Sequence, residues 1–302
     1  MTKAASAAFV LHILLTIIQT RNSIRGETIM RILITGGSGF IGRELVTLLR
    51  KQNDTIFVYT HKKQITNNLG FSNDISILQA SDDFPDVDVI VNLAGESIAQ
   101  KRLSQKRLNE ILKSRLDTID LLAEKYAENF PAHFLQASAT GIYIDNCEQD
   151  EKGELANTVY ADICKNIEKK ANELKNEFQA AISILRIGVV VGDGGGLVEN
   201  LKYLPTLHLI GGSNYIPYLK ISDCAKAIKL IIEKKIQGNI NLCSDHYLTA
   251  NELLKLSSSS KLLTVPVPKF ALKLDKRGEL LLTNQRIFPA TLKENGFVFD
   301  HF

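Results

Sequence analysis

From Met30 onwards, the chain alternates short apolar runs with longer segments whose apolar residues recur at helical spacing. Short apolar runs bounded by turn residues are typical of buried strands, and apolar residues at positions i, i+3 and i+4 are typical of helices. We predict strands at the following runs: Met30–Thr35, Thr55–Tyr59, Ile75–Leu78, Val87–Leu93, His133–Ala137, Ala181–Arg186 and Asn239–Cys243.

The longer segments between these strands carry the helical pattern. We predict helices over Phe40–Lys51, Leu103–Tyr126 and Val159–Phe178, the second with its leucines and isoleucines along one side. Strands that alternate with amphipathic helices indicate a parallel sheet covered on both faces. The predicted fold class is therefore α/β, a Rossmann-type doubly wound parallel sheet.

The pattern changes after Gly192, where glycines, isolated prolines and short helical segments replace the regular alternation. This change predicts a smaller C-terminal lobe, interleaved with the first unit rather than strung from it. We place the Rossmann domain at residues 30–190 and the smaller lobe at residues 191–302.

Residues 1–29 form an extension before the first predicted strand. Lys3 is followed by a charge-free stretch, Ala4–Thr20, which has the outline of an apolar leader but is short for a bilayer-spanning helix. Two interpretations stay open: an over-extended start, with the working protein beginning at Met30, or a membrane leader. We favour the first, because Met30 immediately precedes a strand and a small-residue cleavage site is poorly matched.

Composition narrows the class of partner. The chain has 302 residues, of which 45% are hydrophobic and 23% charged, and a net charge of +3. A balance this even gives no case for binding nucleic acid or a membrane, which needs a basic bias. The four cysteines form no Cys-x-x-Cys pair and the histidines no cluster, so we expect no metal site and a reducing, cytoplasmic location.

A glycine-rich turn lies between the first predicted strand and the first predicted helix. Its glycines have the spacing G-x-x-G-x-x-G, which lets the backbone approach a pyrophosphate at a helix N-terminus with free N–H groups and a positive dipole end. We predict a dinucleotide-binding site at the residues of this turn: Thr35, Gly36, Gly37, Ser38, Gly39, Phe40, Ile41 and Gly42.

A second cofactor contact is predicted where a later strand ends. In open parallel sheets, ligands bind in the crevice outside the carboxyl ends of the strands. The predicted strand Val87–Leu93 ends at that edge. We therefore add the turn that follows it to the cofactor site: Asn92, Leu93, Ala94, Gly95 and Glu96.

The residues after the second strand bear on the choice of cofactor. NAD-specific sites usually place an acidic residue there, about 20 residues past the first glycine, to bind the ribose 2′-hydroxyl. This chain instead has His61, Lys62 and Lys63, and the two lysines would attract a 2′-phosphate. We therefore predict NADP as the cofactor in preference to NAD.

Several motifs, taken together, resemble those of a known family. In chain order they are Ile34–Gly42, Asn92–Glu96, Lys101–Leu103, Ser114–Arg115, Ser138–Tyr143, Leu185–Val190, Gln285–Pro289 and Glu294–Phe299. They resemble the extended short-chain dehydrogenase/reductases, and within them an atypical branch of epimerase-family, nucleoside-diphosphate-sugar-epimerase-like proteins. The resemblance implies that the smaller lobe binds the substrate, with the branch's own C-terminal domain at about residues 250–302.

The enzymes of this superfamily use a Tyr and a Lys four residues later on one helix, where the ammonium lets the phenol act as a base. Here Tyr160 is followed at that position by Cys164. Lys165 is one residue further and turned away on an ideal helix. The branch that the chain resembles commonly lacks the pair too, and its absence puts standard epimerase chemistry in doubt.

Four residues are catalytic candidates. Ser138 or Thr140, just after a predicted strand, would polarise the substrate oxygen, while a backbone hydrogen bond explains either hydroxyl equally well. Tyr143 or Tyr160 would handle the proton, and Tyr143 can equally be a packed aromatic residue.

Charged residues give a further set of candidates. Lys101, Arg102 and Arg115 would hold an anionic substrate such as a sugar nucleotide, although a basic helix face is more often simply solvated. Asp223 matches an acidic position near the substrate lobe, and we expect it to be a helix N-cap.

The sequence thus predicts an NADP-binding oxidoreductase or epimerase-like enzyme that moves a hydride between the nicotinamide and a carbinol or nucleotide-sugar type substrate. The alternative is a non-catalytic NADP-binding regulatory or assembly protein, which the missing Tyr-x-x-x-Lys pair favours. A homodimer through two long helices is common in the superfamily and is the oligomeric state that the resemblance implies.

Overall fold

The computed structural model describes most of the chain. The described residues are 29–50, 54–60, 75–96, 104–196, 205–257, 260–272 and 281–300. The N-terminal extension, apart from residue 29, therefore lies outside the described residues, as do Lys101 and Arg102.

A seven-stranded, fully parallel sheet forms the centre of the described structure, with the strand order β3-β2-β1-β4-β5-β7-β12. Its strands are β1 (Arg31–Thr35), β2 (Thr55–Tyr59), β3 (Ser76–Leu78), β4 (Val89–Asn92), β5 (His133–Ala139), β7 (Ala181–Ile187) and β12 (Gly238–Leu242). The strand order changes direction between β1 and β4, because β2 and β3 are added on one side of β1 and the later strands on the other. Open α/β sheets bind their ligands at this point. The predicted α/β, doubly wound fold is confirmed.

Four longer helices cover the sheet: α1 (Phe40–Leu49), α2 (Gln105–Lys125), α3 (Val159–Phe178) and α4 (Ile221–Lys234). The Ser104 hydroxyl accepts the N–H of Arg107 at the start of α2, and the Thr158 hydroxyl accepts the N–H of Ala161 at the start of α3. Such caps satisfy N–H groups that the first helical turn leaves without a partner. They explain where the two helices begin, α3 at its predicted first residue and α2 two residues later than predicted.

The two faces of the sheet have separate apolar cores. Successive residues of a strand point to opposite faces, so Ile32 and Ile34 pack with α1 and α4, whereas Leu33 packs with α2 and α3. All three side chains are fully buried. Continuous apolar strands are what a sheet with helices on both faces requires.

The C-terminal part of the chain builds a smaller lobe from short elements. They are β8 (Val189–Val191), β9 (Pro205–Ile210), β10 (Tyr215–Ile216), β11 (Tyr218–Lys220), β13 (Leu248–Thr249), β14 (Ser260–Pro268), β15 (Arg286–Ile287), α5 (Ala250–Ser257), α6 (Lys269–Leu272) and α7 (Ala290–Glu294). A further short strand, β6 (Glu148–Gln149), pairs with β15. After the first part of this lobe, the chain returns to the central sheet through α4 and β12. The division at residue 190 stays a prediction.

The expectation that Asp223 caps a helix is wrong. Lys220 occupies the N-cap of α4, and Asp223 is the third residue inside the helix. Its buried carboxylate accepts the backbone N–H of Asp300 at 2.8 Å, so it fastens the C-terminal segment to α4. Burial raises the pKa of this carboxyl, and the hydrogen bond from Asp300 opposes that shift.

Candidate active site

The glycine turn at the end of β1 is crowded by backbone atoms. Gly36 has a positive φ of 68°, and a Cβ there would lie 2.8 Å from the carbonyl carbon of Leu93. Gly42 is tighter, because a Cβ on it would lie 2.3 Å from the carbonyl oxygen of Gly36. The N–H of Gly39 donates to that same oxygen at 2.8 Å. These positions therefore require glycine for steric reasons.

The start of α1 is suited to an anion. Gly39 occupies the N-cap and has no side chain with which to cap the helix, so it leaves the first N–H groups of α1 to another partner. No acidic residue lies in the first turn, which would otherwise compete for the positive end of the helix dipole. A cradle that excludes side chains at a helix N-terminus fits the pyrophosphate of a dinucleotide.

A row of buried polar side chains runs across the sheet beside this turn. Thr35, Asn92 and Gln136 are in register on β1, β4 and β5, and each is fully buried. The Thr35 hydroxyl donates to Asn92 Oδ1. Asn92 Nδ2 in turn donates to Gln136 Oε1 at 2.7 Å. The N–H of Ala94 approaches Thr35 Oγ1 at 3.2 Å. This row fixes the two predicted cofactor turns relative to each other.

Side chains of α2 hold the turn after β4. The N–H of Glu96 donates to Ser114 Oγ at 3.1 Å, and Arg115 Nη1 donates to the carbonyl of Glu96 at 3.2 Å. Arg107 Nη2 lies 2.6 Å from the Glu96 carboxylate, and this bond raises the pKa of Arg107. A Cβ on Gly95 would lie 2.7 Å from the Arg115 guanidinium carbon, so a side chain there would have to displace the Arg115 side chain.

The choice between NADP and NAD was predicted from residues that follow β2. His61, Lys62 and Lys63 are outside the described residues. β2 ends at Tyr59, and the buried Thr60 follows it. The preference for NADP thus stays a prediction from the sequence.

A cavity of about 190 Å³ lies where β5, β7, α2, α3 and the C-terminal lobe meet. Its wall is mainly apolar. The lining residues are Leu108, Ile111, Ala139, Thr140, Gly141, Tyr160, Ile163, Cys164, Ile187, Gly188, Val189, Ile216, Pro217, Thr283 and Gln285.

Two of the four predicted catalytic residues line this cavity. Thr140 follows β5, and Tyr160 lies in the first turn of α3. Cys164 lies four residues after Tyr160 on the same helix and lines the cavity as well. Burial, followed by the charge of Glu168, raises the pKa of the Cys164 thiol, which is therefore neutral where a lysine would be charged.

The other two predicted catalytic residues belong to a buried polar network. Ser138 Oγ donates to Glu168 Oε1 at 2.7 Å. The Tyr143 hydroxyl donates to Asn241 Oδ1 at 2.8 Å and accepts from Arg186 Nη1 at 2.7 Å. Tyr143 is 1% exposed, and burial raises its pKa to about 12.

A bidentate ion pair forms the centre of that network. Arg186 Nε and Nη2 lie 3.0 Å and 2.7 Å from the two oxygens of Glu168. Burial lowers the pKa of Arg186, but the bonds to Glu168 outweigh this and raise it above its usual range. Sequence reasoning missed this pair, because a buried charge looks like a surface charge until its partner on another element is known.

Sequence reasoning also missed the far wall of the cavity. Ile216, Pro217, Thr283 and Gln285 come from the C-terminal lobe, more than half the chain away from the glycine turn. The motif at Gln285 was recognised through the family resemblance, but nothing in its residues indicates that it lines a cavity.

Two further observations concern metals and membranes. In the described ranges, no group of three or more His, Cys, Asp or Glu residues is placed to hold a metal ion. In the same ranges, no helix has the length and apolar character needed to cross a bilayer.

The fold, the glycine cradle and the buried row of polar residues define a nucleotide-binding protein of the Rossmann type. A family model described as the NAD dependent epimerase/dehydratase family matches residues 32–243. The chain belongs to this family, and the resemblance inferred from its motifs is confirmed.

Relatives cover most of the chain. The Arabidopsis thaliana protein named epimerase family protein SDR39U1 homolog, chloroplastic, is 30% identical over 300 residues, which cover 92% of this chain and 86% of that protein. The epimerase family protein YfhF of Bacillus subtilis is 27% identical over 290 residues, covering 90% of this chain and 94% of that protein.

Solved structures share the fold. The human epimerase family protein SDR39U1 (isoform 2), solved with NADPH, has a TM-score of 0.76 and 23% identity, covering 90% of this chain and 95% of that one. A UDP-glucose 4-epimerase from Thermotoga maritima, solved with UDP-glucose, has a TM-score of 0.72 and 18% identity, covering 90% and 94%. The agreement in fold therefore covers most of the chain and not only the glycine motif.

Proposed function

We propose that this protein is an NADP-dependent oxidoreductase or epimerase-like enzyme that transfers a hydride between the nicotinamide and a carbinol carbon of a small molecule. The observation that carries the proposal is the pairing of two sites in the described residues. A glycine cradle fit for a pyrophosphate and a cavity containing Thr140 and Tyr160 both lie beyond the carboxyl ends of the parallel strands. The human relative solved with NADPH supports the choice of cofactor.

Named parts of the chain would hold the cofactor. The N–H groups of Phe40, Ile41 and Gly42 would receive the pyrophosphate, because helix geometry leaves them without an internal partner. Lys62 and Lys63 would pair with the 2′-phosphate of NADP. A charge-assisted hydrogen bond contributes about 1.5–3 kcal/mol, which is enough for a preference of roughly tenfold or more.

The bound nicotinamide supplies or accepts the hydride, and the chain's own residues act on the substrate oxygen. Thr140 would donate a hydrogen bond that polarises a carbonyl, and Tyr160 would donate the proton to the oxygen as the carbonyl is reduced. Cys164 is a neutral thiol where relatives in the superfamily have an ammonium, so it would not lower the pKa of Tyr160 as an ammonium would. Tyr160 would therefore act as a neutral phenol. Ser138 and Tyr143 would then support the site through Glu168 and Arg186.

A second candidate function has one observation in its favour. Cys164 replaces the lysine of the superfamily's catalytic pair, which would leave a protein that binds NADP without turning over a substrate. Such a protein would regulate or assemble partners according to whether its cofactor is bound. A homodimer and a cytoplasmic location also remain predictions.

Turnover of NADPH separates the two candidates. The full chain is incubated with NADPH and a panel of ketones and aldehydes, and loss of cofactor absorbance is followed. We expect Tyr160→Phe to lower kcat by about 10²–10⁴-fold without changing the Kd for NADPH, because the hydroxyl acts only on the proton. Tyr215→Phe is the matched control, since this tyrosine lies in the smaller lobe on β10.

The alternatives give different results in this assay. NADPH binding without turnover of any panel member favours the regulatory protein. Equal loss of activity in Tyr160→Phe and Tyr215→Phe contradicts the role of Tyr160.

A further inference from the structure

We infer, on the basis of the oxidoreductase function proposed above, that the substrate presents an uncharged carbonyl flanked by apolar groups, and not the sugar of a nucleotide sugar. The inference concerns the cavity that Thr140 and Tyr160 line. It assigns the chemical class of substrate from the groups that surround the reacting position.

The cavity walls come from several elements and are mainly apolar. Leu108 and Ile111 on α2 and Ile163 on α3 form one side, while Val189 and Ile216 contribute from the smaller lobe. The remaining apolar lining positions carry glycine, alanine, proline or isoleucine, and the polar ones are Thr140, Tyr160, Cys164, Thr283 and Gln285. Burying a hydroxyl or a charge against such walls without a partner is unfavourable.

Few of the described lining side chains are polar, which suits a single carbonyl oxygen better than a sugar ring with several hydroxyls. Thr140 and Tyr160 would serve the reacting carbonyl. The side-chain amide of Gln285 already donates to the carbonyl of Tyr143 at 2.8 Å, and Gln285 is 4% exposed. Burial raises the pKa of the Cys164 thiol and keeps it neutral, so it adds no charge.

The arginines of α2 nearest in sequence to the cavity lining already have carboxylate or carbonyl partners. Arg107 binds the carboxylates of Glu96 and Glu110, and Arg115 Nη1 binds the carbonyls of Glu96 and Ile111. A diphosphate needs cations as its own partners, and Arg107 is already committed to carboxylates.

The size of the cavity favours a compact molecule. Its volume is about 190 Å³. Drug-sized ligands usually occupy pockets of ~300–1,000 Å³. A small ring or chain that carries a ketone or an aldehyde matches this space.

The test measures ligand binding to the full chain saturated with NADP⁺, the oxidised cofactor, so that a ketone binds without being reduced. Cyclohexanone and acetophenone are the apolar probes, and UDP-glucose is the polar, anionic probe. A shift in melting temperature is recorded first for cofactor alone and then for each probe. We expect the cofactor and at least one ketone to raise the melting temperature, and UDP-glucose to add nothing.

A pair of variants ties the ketone to this cavity. Val189→Thr keeps the shape of a cavity-wall residue but adds a hydroxyl, and we expect ketone binding to weaken about tenfold. Val298→Thr makes the same change at a residue that is 78% exposed, and we expect it to have no effect.

The possible failures can be told apart. Two outcomes overturn the inference about the substrate while the cofactor site stands, and in both the cofactor binds. In the first, UDP-glucose stabilises the protein and the ketones do not. In the second, neither kind of probe binds. Equal ketone affinity in both valine variants overturns it as well. If NADP⁺ itself fails to stabilise the protein, the proposed function fails and this inference fails with it.

Discussion

Main-chain crowding restricts two positions in the turn after β1 to glycine. Gly36 and Gly42 have main-chain atoms where a side chain would begin, and those atoms cannot move away as the tip of a flexible side chain can. The spacing of the glycines was visible in the sequence because a phosphate turn is local. Each of its residues lies within one strand-to-helix connection.

Substitution of Gly42 tests this steric account. A glycine-to-alanine change inside a free helix usually stabilises it by about 1 kcal/mol. Here we expect Gly42→Ala to weaken NADPH binding by at least about tenfold, because the new Cβ would push the Gly36 carbonyl out of place. Thr47→Ala, on the exposed face of the same helix, should bind NADPH as the unaltered protein does, and fluorescence titration measures both. Unchanged affinity in Gly42→Ala would contradict the role of the turn.

His133 at the start of β5 gives a prediction about pH. It is 2% exposed, its Nε2 lies 2.7 Å from Ser183 Oγ, and burial lowers its pKa to about 4. The unfolded chain, with a pKa near 6.5, therefore binds a proton that the folded protein does not. Stability is complete above about pH 6.5 and falls as the pH drops towards 4, by up to about 3 kcal/mol.

Urea unfolding between neutral and acidic pH measures this effect. In His133→Phe, which has no titrating group at that position, the stability should depend less on pH over the same range. The Ser183 hydroxyl keeps its backbone partner there, since it donates to the carbonyl of Ile236. Identical pH slopes for the two proteins would rule out His133 as the source.

At the scale of the elements, the sequence predicted where strands and helices lie better than which strands pair with one another. β2 and α3 have the predicted bounds, because their apolar pattern and flanking residues are local signals. β5 runs two residues beyond its predicted end, to Ala139, because Ser138 and Ala139 pair with Arg186 and Ile187 of β7. A pairing between distant segments leaves no trace in the periodicity of either one.

The short strands of the smaller lobe make the same point. Glu148–Gln149 pairs with Arg286–Ile287, and Val189–Val191 pairs with Tyr218–Lys220. Strands of two or three residues are too short for an alternating pattern to be recognised. The strands with which they pair determine where these short strands form. From the sequence, only the loss of the regular strand–helix alternation after Gly192 could therefore be predicted.

The ion pair between Glu168 on α3 and Arg186 on β7 fastens a helix to the sheet. Removing one member of a buried pair leaves an uncompensated charge. We expect Glu168→Ala to lower the free energy of unfolding by about 3–5 kcal/mol, because Arg186 would be left buried without its carboxylate and Ser138 without its acceptor. Urea unfolding at neutral pH measures the change.

Asp117→Ala provides the matched comparison for this ion pair. Asp117 pairs with Lys113 on α2, and their side chains are 57% and 74% exposed. Exposed pairs contribute little, so a change within about 0.5 kcal/mol is expected. Equal losses in the two variants would mean that the Glu168–Arg186 pair contributes no more than a surface pair.

At the scale of the whole molecule, the candidate site is assembled from distant parts of the chain. The end of β5, the first turns of α3 and the loop before β15 come together at the cavity only through the fold. Thr140 and Tyr160 were candidates from the sequence, and so were Ser138 and Tyr143 beside them. Only the packing places the first two at the cavity and the others with Glu168 and Arg186, because side-chain direction depends on contacts across the sheet.

The central claim is that the turn from Gly36 to Gly42 binds NADP. The most direct measurement compares NADPH and NADH binding to the full chain, using the fluorescence of the cofactor, since the protein has no tryptophan, together with a melting curve. We expect NADPH at about 100 times its Kd to stabilise the protein by ~2.7 kcal/mol, and NADH to bind about tenfold more weakly. Equal binding of the two would contradict the part assigned to Lys62 and Lys63, and no binding of either would contradict the cofactor site itself.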